Sequence, residues 1–377
     1  MPITAYSQHF EKELDAEQLL ALMNARSTPP AAYSLEQLPD QWREWIKQDV
    51  RCPSCGAPGA QIVNGATARA SSTVMRQPHF RFVAQDGGDA HHRFCDFHHW
   101  DEHAPHSDSL VNFGSARSRE TRLVRMLVCK AIERRLFSQA DIRAMRQWFF
   151  DTKSQNRYVV AATEQALEYR WRLRCHTHHF GLEFHPSHAA MPGFDWDEAA
   201  LSEFSRVYKP VLDRFNYVRP PTAAHTRARA LAKHFGEEVF DTSVLEPFYK
   251  QTLNLCTFFA THTPELGYSR HAAMMFRWEG ASTVLLAFCA LLLHVSAWDI
   301  QVAIAKLGQL LASPPPADDT LGNVIGLNPF HDYLAWQLVK EASQLAVEQP
   351  DDLDYEAQLR TLKAEMQSDY DAWKQRQ

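Results

Sequence analysis

The sequence predicts a mostly α-helical chain with a small zinc-stapled β-ribbon module near its N-terminus, a multidomain α+β protein overall. Three observations predict it. A Cys-x2-Cys turn opens a His-rich window over residues 51–115, and from about residue 117 apolar residues recur at helical spacing. The length, 377 residues, exceeds what one core usually organises. Hydrophobic residues make up 45% and charged residues 22%, the composition of a folded chain. The expected division is a helical segment at 1–50, a zinc-ribbon-like module at 51–115, a basic helical domain with a His-rich loop at 116–220, and an all-α C-terminal domain at 221–377.

Residues 1–50 read as short amphipathic helices broken by STPPAAYS, with Leu38, Trp42, Trp45 and Ile46 on one apolar face. The opening MPITAYSQHFEKELD has neither a basic leader nor an apolar h-region, so no secretory signal is expected and the cytoplasm is the expected address. Seven cysteines without an export signal suit thiols or metal ligands better than a disulfide framework. Cys129, Cys256 and Cys289 fall in apolar helical patterns and are expected in cores.

Residues 51–115 carry β-favouring runs such as AQIV and HFRFV between loops. Zinc takes four tetrahedral ligands, and the turn Cys52-Pro-Ser-Cys55-Gly presents two sulfurs to one ion. Glycine after the second cysteine permits the positive-φ bend. Cys95-x2-His98 has the same gap and offers the second pair, with thirty-nine residues between Cys55 and Cys95. The expected structural Zn2+ ligands are Cys52, Cys55, Cys95 and His98. The window holds histidines at 79, 91, 92, 98, 99, 103 and 106, so spacing leaves the fourth ligand open, with His79 and His99 as alternatives.

CPSCG, then RQPHFRF, then a later cysteine resembles the N-terminal zinc ribbon of CoiA-like competence proteins. The resemblance covers residues 52 to 95 only, and Phe82 stands where that family usually has a second histidine. It implies ligands Cys52, Cys55, His79 and Cys95, and a setting in bacterial DNA handling, mobile elements or defence. It also implies a following restriction-type nuclease domain with a magnesium-binding Glu-x-Gln or Glu-x-Lys strand. The nearest phrase is Glu183-Phe-His185, with Glu164 or Glu168 upstream.

In the third segment Val124, Leu127, Val128, Ala131, Ile132 and Leu136 form one buried stripe. Ser138 with Asp141 three residues on reads as a capping box that starts a second helix. Two helices and a short turn allow a helix-turn-helix reading. Residues 117–174 hold fourteen Lys/Arg against six Asp/Glu in a chain of net charge −6. Such a block suits a polyanion surface, or else pairing with the acidic remainder. Arg117, Arg119, Arg122, Arg125, Arg143 and Arg146 are the expected nucleic-acid contacts, with Trp148 or Trp171 to stack on bases. RCHTHHFGLEFHPSH adds Cys175, His176, His178, His179, Glu183, His185 and His188 as a candidate second metal cluster.

In the last segment ASTVLLAFCALLLHVSAW is near the minimum length of a membrane span, but His294 and small polar residues interrupt it. A buried helix is expected, covered by FYKQTLNLCTFFA and YLAWQLVKEASQLAV, and no membrane partner. Tyr355, Leu359, Leu362, Met366 and Trp373 fall near heptad spacing, which suits a docking or self-associating helix. GxxxxGK[ST], GxGxxG and GxSxG are absent, leaving NTPase, Rossmann and α/β-hydrolase readings without support. The expected function is a zinc-ribbon nucleic-acid-binding protein, with DNA favoured over RNA. The alternatives are a metal-dependent nuclease using the 176–188 cluster and a zinc-stabilised protein-interaction scaffold.

Overall fold

The computed structural model describes residues 2–26, 37–67, 74–76, 78–98, 109–113, 118–175, 182–208, 221–319, 321–322, 324–348 and 353–377. Helices dominate them, joined by short antiparallel strands. The chain alternates between two units: the first is Met1–Asn156 with Leu245–His331, the second Arg157–Val244 with Asp332–Gln377. This is a different division from four consecutive segments, because long-range strand and helix pairing joins stretches far apart in sequence.

The first unit opens with β1 (Thr4–Ser7) and β2 (Lys12–Asp15), an antiparallel hairpin followed by α1 (Ala16–Arg26) and α2 (Asp40–Asp49). β3 (Val50–Arg51) pairs with β1, and β4 (Ala60–Val63) will meet a later strand. β5 (Ala66–Thr67) pairs with β6 (Val74–Arg76), and β7 (His79–Phe82) pairs with β4, placing Ile62 opposite Phe80. β4 and β7 alone have too few inward side chains to bury themselves. They share one core with the N-terminal helices: Leu19, Leu20, Trp42 and Ile46 lie with Phe80, Phe82, Phe97, Cys52 and Cys95. A boundary at residue 50 therefore does not separate two cores.

After β8 (Leu110–Asn112) come α3 (Arg119–Glu133) and α4 (Gln139–Gln155). Val124, Leu127, Val128 and Ala131 are fully buried, as the stripe predicts. The capping box forms too: Asp141 N–H donates to Ser138 Oγ, and Ser138 N–H donates to Asp141 Oδ2 at 2.7 Å.

The second unit begins with β9 (Arg157–Val159), α5 (Glu164–Cys175), α6 (Trp196–Val207) and α7 (Thr222–Leu231), and β10 (Glu238–Phe240) pairs back on β9. The chain then returns to the first unit as α8 (Glu246–His262), α9 (Arg270–Glu279), α10 (Thr283–His294) and α11 (Ile300–Ala312). β11 (Ile325–Leu327) closes it by pairing with β8, where a Cβ on Gly326 would stand 2.3 Å from the Phe113 ring. The second unit ends with α12 (Tyr333–Glu348) and α13 (Tyr355–Lys374).

Every residue of α10 from Leu285 to Leu293 is buried. It is covered by α8, as expected, and by α3 and α11. The expected cover from YLAWQLVKEASQLAV is corrected: that stretch is α12, which packs on α5 and α7 in the second unit. Among the described residues no single helix is long and apolar enough to cross a membrane; α9 and α10 meet that test only as a pair, bent by 80°. α13 packs on α6 with Tyr355 and Met366 buried, so its heptad-like face serves its own unit.

Candidate metal centre

Two turns bring the ligand atoms together. In the first, Gly56 N–H donates to Cys52 C=O at 3.1 Å and Cys52 N–H to Ala57 C=O at 2.9 Å, closing Cys52-Pro-Ser-Cys55-Gly into a knuckle with Gly56 at φ +72°. In the second, Cys95 N–H donates to His92 C=O at 2.8 Å, which folds His91 back over Cys95. Ser54 N–H and Phe97 N–H point at the sulfurs of Cys52 and Cys95, each at 3.5 Å. The His91 ring lies between Phe82 and Phe97, with centroids at 5.1 and 6.0 Å.

The result is a Cys3His group whose ligand atoms all lie within 4.8 Å of one another and which can hold a metal ion. Cys52 Sγ is 3.8 Å from Cys95 Sγ, and His91 Nδ1 is 3.6 Å from both Cys55 Sγ and Cys95 Sγ. Cys52, Cys95 and His91 are 1%, 2% and 8% exposed, and Cys55 is half-buried. Among the described residues no other such group occurs.

Crowding sets the protonation of the thiols. Burial, reinforced by the neighbouring Cys55 and Cys95, pushes the Cys52 thiol well above its ordinary 9.0. Cys95 is lowered by its bond with Cys52 but raised more by Cys55 and by burial, and is pushed up to about 12. Cys55 is held well below the thiol range because Cys52, then Cys95, donate to its sulfur. Three thiolates this close require a cation among them, so metal uptake expels protons.

The fourth member differs from the expected one. His98 Nδ1 faces Asp89 Oδ2 at 3.2 Å and stays out of the group. His79, buried in β7, is also outside it, and His99 lies outside the described residues. The sequence signal that picks His91 is His-x3-Cys, where the turn ending at Cys95 returns the imidazole to the sulfurs. The equal gaps of Cys52-x2-Cys55 and Cys95-x2-His98 do not mark it.

Three of the six expected nucleic-acid contacts are engaged elsewhere. Arg146 is 2% exposed and ion-paired with Glu13 of β2. Arg143 lays its guanidinium 3.6 Å from the centroid of the Tyr6 ring, and Arg125 donates to the Asp319 carbonyl at 3.0 Å. The face of α4 that would read a groove thus carries the N-terminal hairpin. Lys153 pairs with Asp96 at 2.6 Å, and Arg170 with Glu341, so the pairing explanation of the basic block holds for these residues. Arg119 and Arg122 remain exposed at the start of α3, and Arg117 lies outside the described residues. Trp148 packs among Phe248, His294 and Trp298, and Trp171 packs against His225 with ring centroids 4.4 Å apart and the rings tilted by 33°.

Of the second cluster, His176, His178 and His179 and the Cys175 side chain lie outside the described residues. The rest do not converge on one point. The Glu183 side chain is 75% exposed, His185 Nδ1 accepts from Ser187 N–H, and His188 Nδ1 accepts from His185 N–H, which caps the short 3-10 turn Pro186–Ala190. Glu164 and Glu168 sit on helix α5 facing Arg229, not on a strand. No protein-family model matches the chain, and no curated protein or solved structure matches it.

Proposed function

We propose that Cys52, Cys55, His91 and Cys95 hold one structural Zn2+ in a protein whose role is binding rather than catalysis. One observation carries this reading: the spacing of the four ligand atoms. A tetrahedral zinc with Zn–S of about 2.3 Å and Zn–N of about 2.0–2.1 Å sets S···S at about 3.8 Å and S···N at about 3.5 Å. The separations of 3.8 and 3.6 Å match a single ion. A three-thiolate, one-imidazole set suits zinc and leaves no coordination position for a substrate.

The ligand proposed for the protein is nucleic acid, DNA more than RNA, in a bacterial DNA-handling, mobile-element or defence setting. Support comes from the CoiA-like resemblance at residues 52 to 95 and from exposed Arg119 and Arg122, one turn apart on α3. Labelled DNA and RNA, with magnesium or manganese added, test it. Retention without cleavage is expected, weakening steeply with salt because counterions released into more concentrated salt gain less entropy. Arg119→Ala with Arg122→Ala should flatten that slope by about one unit for each phosphate left unneutralised. Cleavage of either substrate would favour the nuclease reading, and retention indifferent to salt would exclude the backbone-contact one.

A further inference from the structure

We infer that Cys55 is an oxidation site: the one ligand sulfur open to a small peroxide, whose conversion to a disulfide with Cys52 releases the metal. This rests on the zinc reading above. Among the described cysteine side chains, Cys52, Cys95, Cys129, Cys256 and Cys289 are buried and Cys55 alone is not. Gly56, directly after it, has φ +72°, and a Cβ there would meet nothing within 4 Å, so the chain beside Cys55 borders open space. On the inner side, Cys52 and Cys95 belong to the aromatic core with Phe80, Phe82 and Phe97, and the amides of Ser54 and Phe97 point at their sulfurs. An incoming oxidant therefore meets Cys55 first.

The chemistry balances with hydrogen peroxide as oxidant. The Cys55 thiolate attacks one peroxide oxygen and the O–O bond breaks, giving the sulfenic acid and hydroxide. The Cys52 thiolate then attacks the Cys55 sulfur and displaces a second hydroxide, and both hydroxides take protons from solvent. Two thiolates have supplied the two electrons that reduce the peroxide. Cys52 is the resolving thiol because it shares the knuckle with Cys55, so the bond closes within one turn. Cys95 and His91 remain, too few ligands to keep zinc. Because Cys52 and Cys95 also line the core of the N-terminal helices, the event reaches packing as well as metal.

The test treats purified full-length protein with hydrogen peroxide, follows released zinc with a chromophoric chelator, and locates the first oxidised cysteine by alkylation and peptide mapping. One zinc released per Cys52–Cys55 disulfide is expected, reversed by dithiothreitol and added zinc. Cys55→His keeps a fourth ligand without the reactive sulfur, so its release should slow at least about tenfold. First oxidation mapped to Cys52 or Cys95, or release from the histidine variant as fast as from the native protein, overturns the inference. Should that variant not fold, mapping on the native chain decides, with Cys129, Cys256 and Cys289 as buried controls. Protein purified without zinc would overturn the zinc reading instead. Cys55 oxidised no faster than the controls would then still overturn this inference by itself.

Discussion

Asp96 follows the candidate ligand Cys95 and meets Lys153 of α4 in an ion pair with both side chains buried. Replacing one partner leaves a buried charge unmatched, a loss of about 3–5 kcal/mol. Lys153→Met should therefore lower stability by that amount in denaturant unfolding, and adding Asp96→Asn should recover most of it. A second residue answers to pH. Burial, then Arg229, holds the His225 imidazole below its ordinary 6.5, so the folded unit prefers it neutral. Its contribution is fully present above 6.5 and is lost as pH falls from there toward the depressed value, where the unfolded chain takes up a proton and the folded one does not. The melting temperature of the second unit should fall below that pH, and fall less in His225→Phe, which keeps the ring contact with Trp171. At this scale the thiols were legible because a knuckle is local. His91 was not, since seven histidines share the window and the choice depends on how the turn before Cys95 folds back.

Helices read well wherever their signal is periodic. The α3 stripe, the Ser138 capping box and the buried run of α10 all lie where the sequence places them. What periodicity cannot carry is the identity of the neighbour. Arg143 and Arg146 read as groove contacts because charge on a second helix looks solvent-facing. Cross-strand pairing of β1 and β2 builds a hairpin that supplies Tyr6 and Glu13 as their partners. α12 likewise has the apolar face expected of it, spent on α5 and α7 and not on α10. Because Leu286 and Leu292 lie inside the α10 layer, truncating either to Ala should cost about 2–5 kcal/mol. Thermal or denaturant unfolding checks this, and a loss well under that range would mean that the layer around α10 is looser than described.

Across the whole molecule, the chain builds each unit from two separated stretches. Consecutive segments of distinct composition are therefore a poor guide to its boundaries. The His-rich window looks self-contained in sequence, yet Cys52 and Cys95 sit in a core completed by α1 and α2. A metal held by the Cys52, Cys55, His91 and Cys95 group would accordingly support the core shared by these strands and helices. If the proposed ion is lost, the described residues that share this core, among them Leu19, Leu20, Ile46, Phe80 and Phe82, should become exposed together. The zinc-to-protein ratio of purified variants tests the proposed ligand set. About one zinc per chain is expected in the native protein and in His98→Ala, with loss of zinc in Cys52→Ser and His91→Ala. Full zinc occupancy in His91→Ala, or loss in His98→Ala alone, would contradict that ligand set.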